Sequence, residues 1–275
     1  MVVGLSQRQL DEWNGQGFII LKSFFPPEQL QRLNDLVDRL WKTRHSTDNP
    51  LVIDVFDGMP ASRRILFNTA PDEARRSPYK LNDLYLEYSE IRDIVLAPGL
   101  TSVLHRLLEG APMLCNTINF EWGPGQEDHF DTLYMPPKEP NRMVAAWFAL
   151  EDVVPTAGPL RYYPGSHRIP PFLFSHGRTD AIPNEMPNFR KYIAGELEKR
   201  GAQPSMFVAQ AGDVFIWHAQ LLHGGYAIQD RQQTRKTLVA HYFRAQDYYH
   251  RFWRLRRVRK DAYYYSRRHQ TVAQK

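Results

Sequence analysis

Thr117-Ile118-Asn119-Phe120-Glu121-Trp122, closed by Gly123-Pro124-Gly125 and followed by Glu127-Asp128-His129-Phe130-Asp131, is the stretch that decides the fold class. It is a short β-rich run ended by a Gly/Pro turn. The same texture recurs downstream in Met143–Leu150, Leu160–Tyr163, Ser205–Val208, Val214–Trp217 and Lys236–Phe243. Several short strands separated by turns predict a barrel or a double-sheet jelly roll, so the chain reads as mainly β with flanking helices.

Upstream the texture is helical. Ser6 with Gln9 three residues later is a capping-box pattern for a short helix through Trp13, which Gly15 and Gly17 would end. Phe18-Ile19-Ile20-Leu21 is a strand-type run. Pro26-Pro27 then opens an amphipathic helix with Leu30, Leu33, Leu36, Val37, Leu40 and Trp41 on one face. A second helical stretch runs from about Ser89 to Leu108, broken at Pro98-Gly99. One catalytic domain over residues 1–275 is expected. It comprises a helical support at 1–112, a jelly-roll core at 113–246 with an insertion or lid at 168–204, and a C-terminal segment at 247–275.

Composition narrows the setting. A hydrophobic content of 43% with 13% aromatic residues supports a sizeable core, and β-rich folds of about 200–250 residues form single domains. No apolar run is long enough to span a bilayer, and the start Met1-Val2-Val3-Gly4-Leu5-Ser6-Gln7 lacks the basic and apolar regions of a leader. The single cysteine, Cys115, excludes an internal disulfide framework and suits a reducing, cytoplasmic location. Net charge is +5, but Arg251–Arg268 holds eight Lys/Arg against Asp261 alone. That segment carries +7, which leaves the remainder near −2.

The chemistry points to a metal. In an extended chain residues i and i+2 project to the same side, so His129 and Asp131 can bind one ion together. Two histidines and a carboxylate on one face leave open positions, the geometry of Fe(II) oxygenases. His167, His218 and His223 are the candidates for the second histidine. His167 lies in the turn Pro164-Gly165-Ser166-His167, where hydrogen bonding to backbone is the usual role. His218 ends an apolar strand and could be an ordinary core histidine. His223 precedes Gly224-Gly225, where backbone can approach a ligand closely. Positions 218 and 223 differ by an odd number and point to opposite faces of a regular strand, which favours His223.

Over roughly Leu5 to Phe243 the chain resembles the phytanoyl-CoA dioxygenase family of Fe(II)/2-oxoglutarate oxygenases. The resemblance rests on His129-x-Asp131, Trp147–Asp152, Gly158-Pro159-Leu160, Pro164–His167, Gly212-Asp213 through Leu222-His223-Gly224, and Arg235-Lys236. It implies a double-stranded β-helix (a cupin-like jelly roll) with Fe(II), 2-oxoglutarate as co-substrate, and O2. It also implies that Arg235 takes the distal carboxylate, for which a guanidinium fork is suited. Trp147, Lys80 and Asn116 are further co-substrate residues on the same basis. A departure is Gly225, where relatives often carry a hydroxyl; Thr237 or a tyrosine would have to replace it. Asp131 occupies the place that related halogenases leave open for chloride, so hydroxylation is implied, with succinate and CO2 released.

The substrate is expected to be a small or medium organic molecule. Thr132 and Tyr134, just after the metal motif, are expected near the pocket mouth. Arg142, Arg161 and Arg168 would suit an anionic substrate. The tail, Tyr248-Tyr249-His250-Arg251-Phe252-Trp253-Arg254 through Tyr263-Tyr264-Tyr265, is expected to form a helix packing its aromatic face on the barrel or on a second copy of the chain. The alternatives are contact with an anionic partner, here from a catalytically silent binding module, or base stacking; no nucleic-acid role is expected.

Overall fold

The computed structural model describes residues 4–46, 48, 50–56 and 62–272. Residues 1–3, part of the start read for a leader, and 273–275, the end of the basic segment, lie outside the described residues. The capping box forms: Gln9 N donates to Ser6 Oγ (3.3 Å) and Ser6 N to Gln9 Oε1 (2.9 Å), opening α1 (Gln7–Gln16). Gly17, at φ +82°, ends the helix in the left-handed conformation with its N–H on Trp13 O. β1 (Phe18–Leu21) follows, then α2 (Pro27–Thr43), whose buried stripe is the six residues from Leu30 to Trp41 read from the sequence.

The segment expected as helical support also carries strands beyond Phe18–Leu21: β2 (Val52–Val55), β3 (Arg63–Leu66) and β4 (Tyr79–Asn82). Each has four residues, too few for a period of two to stand out. After α3 (Leu84–Glu87) come α4 (Ser89–Val95) and α5 (Pro98–Leu108). The break precedes Pro98, because proline opens α5 at a position where its missing N–H costs nothing.

The core strands are β5 (Pro112–Phe120), β6 (Met143–Ala149) and β7 (Leu160–Tyr162), then α6 (Met186–Arg200) inside the expected insertion. β8 (Ser205–Phe207), β9 (Val214–His218), β10 (His223–Gly225) and β11 (Thr237–Arg244) complete them. The large sheet runs β1-β9-β6-β11-β5-β4-β2-β3, and β10-β7-β8 forms a small sheet facing it. All these pairs are antiparallel. This is the mainly antiparallel, cupin-like jelly roll with flanking helices.

Both faces of the large sheet are buried, which is why β6 is apolar throughout. Val144, Ala146 and Phe148 face the helices, in one core with Leu36, Leu40, Leu100 and Leu104. Ala145, Trp147 and Ala149 face the small sheet, in a second core with Phe215, Trp217, Tyr162 and Phe207. A third cluster, Phe130, Leu133, Phe174, Phe189 and Ile193, seats α6 beside the metal motif. No helix among the described residues is long and apolar enough to cross a membrane.

The tail is not the expected helix. Ala245–Arg254 makes short 3-10 turns, and β12 (Leu255–Arg259) pairs with β13 (Ala262–Tyr265) as a hairpin. β13 lies parallel to β5, with Tyr263 opposite Met113 and Tyr264 opposite Leu114. The aromatic run serves as a strand because the free edge of β5 offers it backbone partners.

Leu104 is fully buried between α5 and the large sheet. Leu104→Ala is expected to lower unfolding free energy by about 2–5 kcal/mol, read as a shift in denaturant midpoint at constant slope.

Candidate metal centre and its cavity

The centre begins with two peptide groups. His129 N donates to His223 O (2.8 Å), and His223 N donates back to His129 O (3.1 Å). Directly opposed residues of an antiparallel pair put their side chains on one face, so the two imidazoles meet with ring centroids 4.3 Å apart. Asp131 lies two residues on, its N–H on Ala219 O. One ligand atom from each of His129, Asp131 and His223 falls within 4.8 Å of the others, and all three residues are buried. Asp131 Oδ1 is 4.0 Å from His129 Nε2 and 3.6 Å from His223 Nε2.

The surroundings orient each ligand. His129 Nδ1 lies 2.8 Å from Glu127 O, and His223 Nδ1 lies 2.9 Å from Leu221 O. A carbonyl only accepts, so each Nδ1 carries the proton and each Nε2 turns its lone pair to the centre. Burial, reinforced by His223, pushes the His129 pKa down to about 3, so the ring is neutral at pH 7. Burial opposes ionisation of Asp131, but His223, His241 and His129 outweigh it and hold the carboxyl below the usual carboxylate range. Trp217 Nε1 donates to Asp131 Oδ2 (2.8 Å), leaving Oδ1 toward the histidines. Two imidazoles and a carboxylate with a free side match the donor set of a non-haem Fe(II) site.

Gly224 is fixed by proximity: a Cβ there would strike Asp128 Oδ1 and sit 2.8 Å from Gln126 O. Asp128 in turn accepts from Arg161 Nε and the Tyr163 hydroxyl, both at 2.9 Å, which ties the metal loop to the small sheet.

The three ligands open on a cavity of about 580 Å³. At its apolar end Arg235, 3% exposed, lies over the rings of Phe120 and Trp147, at 5.7 Å from each. Burial lowers its pKa to about 10, which still leaves it charged at neutral pH. Its Nε, the Trp147 Nε1 and the Thr237 hydroxyl are buried without a hydrogen-bond partner. Buried polar groups are rarely left so, and the donors of Arg235 and Trp147, both on the cavity lining, fit a carboxylate.

The other wall is the inner face of β2, β3 and β4: Asp54, Arg64, Lys80 and Asn82. Arg64 pairs with Asp54, and Asn82 donates to the same carboxylate. Lys80 Nζ donates to Gln126 Oε1 (2.7 Å), and burial lowers its pKa. The amide nitrogen of Gln126 lies 3.2 Å from His129 Nε2. Asn116 also lines the cavity, its amide nitrogen on Asp83 Oδ1 and its oxygen on His241 Nδ1, each at 3.0 Å. Tyr134, its ring 5.5 Å from His129 and 59% exposed, stands at the mouth; Thr132, expected there too, is buried and is not part of the cavity lining.

Other candidates fall elsewhere. His218 is buried on the far side of β9, against Trp13 and His167, and His167 Nε2 meets Asn14 O. Arg142 pairs with Glu109 and Arg161 with Asp128, and neither they nor Arg168 line the cavity. Sequence reading missed Trp217 and His241, whose Nε2 lies 3.5 Å from Asp131 Oδ1. Strand parity carried the signal for both: Trp217 opposes His218, and His241 shares parity with Arg235.

The sequence profile of the phytanoyl-CoA dioxygenase family matches residues 13–237. No curated protein matches the chain in sequence. Among solved structures, the α-ketoglutarate-dependent carbocyclase SnoK from nogalamycin biosynthesis is similar at 17% identity and TM-score 0.65, over 88% of this chain and 85% of that one. EctD from S. alaskensis, solved with 2-oxoglutarate and 5-hydroxyectoine, is similar at 17% identity and TM-score 0.64, over 88% and 77%. The epimerase SnoN, solved with Fe3+, α-ketoglutarate and nogalamycin RO, gives 16% and 0.63, over 87% and 83%. At these identities the likeness is one of fold.

Trp217→Phe keeps an aromatic ring and deletes the N–H that holds Asp131 Oδ2. Metal affinity is expected to fall roughly 10–100-fold, measured by calorimetric titration of Co(II) into the folded protein.

Proposed function

The chain belongs to the phytanoyl-CoA dioxygenase family, and we propose that it is an Fe(II)- and 2-oxoglutarate-dependent dioxygenase that hydroxylates an unactivated C–H bond of a small or medium organic substrate, releasing succinate and CO2. Iron with 2-oxoglutarate and O2 supplies the oxidising chemistry; the protein supplies ligation, orientation and exclusion of water.

His129, Asp131 and His223 hold the metal. Arg235 receives the distal carboxylate of 2-oxoglutarate, helped by the Thr237 hydroxyl and the Trp147 N–H. In this reading Thr237 supplies the hydroxyl that Gly225 lacks. Lys80 and Asn116 extend the co-substrate wall, and Tyr134, backed by Thr132, meets the substrate at the mouth. Asp131 supports hydroxylation over halogenation, because its carboxylate fills the coordination place a halide would need. The buried Cys115 suits a reducing, cytoplasmic setting. The observation that carries the reading is a buried, unpaired arginine facing the same cavity as two histidines and a carboxylate.

Succinate formation from 2-oxoglutarate, under air with added Fe(II), should be measurable for the native chain and absent for Asp131→Ala. Lack of iron-dependent turnover across a broad substrate panel would return the chain to the class of binding modules. Arg235→Gln should raise the KM for 2-oxoglutarate roughly tenfold to a hundredfold, the worth of about 1.5–3 kcal/mol for hydrogen bonds to a charged group.

A further inference from the structure

Asp83 is fully buried and stands in the turn between β4 and α3 with a left-handed backbone (φ +58°) that an aspartate tolerates better than most residues. Its N–H donates to Thr117 O (2.7 Å), which pins the turn to β5. The two carboxylate oxygens face opposite ways. Oδ2 accepts from Arg267 (2.6 Å), and Oδ1 accepts from the Asn116 amide nitrogen (3.0 Å).

With its nitrogen fixed on Asp83, the Asn116 amide must turn its oxygen to His241 Nδ1, 3.0 Å away. The register between β5 and β11 slips at this point: His241 pairs with Asn116, and Tyr242 with Leu114. The extra residue, Cys115, makes a bulge, a device that re-aims neighbouring side chains. The far nitrogen of His241 then lies 3.5 Å from Asp131 Oδ1, the oxygen turned to the metal histidines. A continuous chain of polar contacts, buried from Asp83 inward, thus runs from the half-buried Arg267 to the metal-binding carboxylate.

Arg267 lies beyond residue 237, where the family match ends. It belongs to the segment after β13, which is tied down at several points. Tyr85 donates to Tyr265 O (2.8 Å), Ser266 N donates to Arg254 O, and His269 Nε2 meets Glu87 Oε1 at 2.7 Å. Gln270, three residues past Arg267, reaches the wall of the metal cavity.

From these contacts, and resting on the metal-site reading above, we propose that Arg267 is a positioning residue of the metal centre. It neutralises the buried Asp83 and so fixes the Asn116–His241 pair against Asp131. The C-terminal segment is then part of the active site and not an appendage. A buried carboxylate is tolerated when paired and hydrogen-bonded. Without Arg267 the Asp83 side chain would seek solvent or a new donor, and the orientation of Asn116 and His241 would be lost with it. Support behind a metal ligand governs affinity because it sets where the ligand atom stands.

Co(II) serves as the probe, with affinity read by calorimetry and coordination read from its visible absorption. Asp131→Ala should abolish binding; if the native chain takes up no Co(II), the metal-site reading falls and this proposal with it. Given native binding, Arg267→Ala should weaken it roughly 10–100-fold and alter the Co(II) spectrum. Arg259→Ala, which removes an ion pair to the exposed Asp93 in the same segment, should leave both unchanged. In a His241→Ala background the further effect of Arg267→Ala should vanish, because the path is already cut. Unchanged Co(II) affinity in folded Arg267→Ala, or an undiminished loss in the His241→Ala background, overturns the proposal. Should Arg267→Ala fail to fold, Arg267→Gln, which keeps a hydrogen-bond donor near Asp83 but removes the charge, is read in the same way: weakened Co(II) affinity supports the proposal and unchanged affinity overturns it.

Discussion

The site depends on the exchange of two backbone hydrogen bonds between residues 129 and 223. These residues lie far apart in the chain, and a metal centre built from them needs their rings on one side at a fixed separation. A side-chain contact could not guarantee that, but an antiparallel pair does so through peptide geometry alone. The pair also explains the residues around it. Gly224 must lack a Cβ because the metal loop comes this close, and Asp128 must be anchored by Arg161 and Tyr163 because the loop carries the ligands.

Rigidity is supplied from the other direction by the large sheet. Its outer face is sealed by α2, α4 and α5, so the inner face is held by a full core behind it. Trp217, Trp147, Val239 and His241 project from this backed sheet, from β9, β6 and β11. Groups that must hold a carboxylate oxygen within tenths of an ångström do so best from strands whose own rotamers are locked. The second core between the sheets is aromatic: Phe215 meets the rings of Phe18, Tyr162 and Phe207, and Phe207 backs the cavity-lining Trp147.

The centre was legible where its logic is local. His129 and Asp131 share a face by adjacency, and parity with the glycine pair separated His223 from His218. Arg235 was legible through the family resemblance. Trp217 and His241 were hidden because each sits in an apolar strand, where such a residue reads as core; parity assigns a face but does not say that the face holds a metal site. Lys80 lay in β4, whose existence depends on pairing with β2 and β5, an interaction absent from any local pattern. The tail misled for the opposite reason. Alternating aromatic and basic residues suit an amphipathic helix as well as a hairpin, and the vacant flank of β5 made the choice.

Most charges in and around the cavity are paired. Arg64 and Asp54 neutralise one another, as do Arg267 and Asp83, and Arg161 and Asp128. The centre proper then holds Asp131 against Arg235 and Lys80. Adding Fe(II) and the dianion of 2-oxoglutarate brings metal, Asp131 and co-substrate to a single negative charge, which Arg235 cancels. Lys80 remains, half-buried, with a neutral amide as its hydrogen-bond partner. A desolvated ammonium is costly without a counter-charge; its lowered pKa expresses that cost. The β2–β4 wall thus holds a cation with no carboxylate at ion-pair distance among the described residues, beside the aromatic surfaces of Phe56 and Tyr134. Arg142 and Arg161, by contrast, are held in ion pairs away from the cavity, because each has a carboxylate within reach on its own side of the fold.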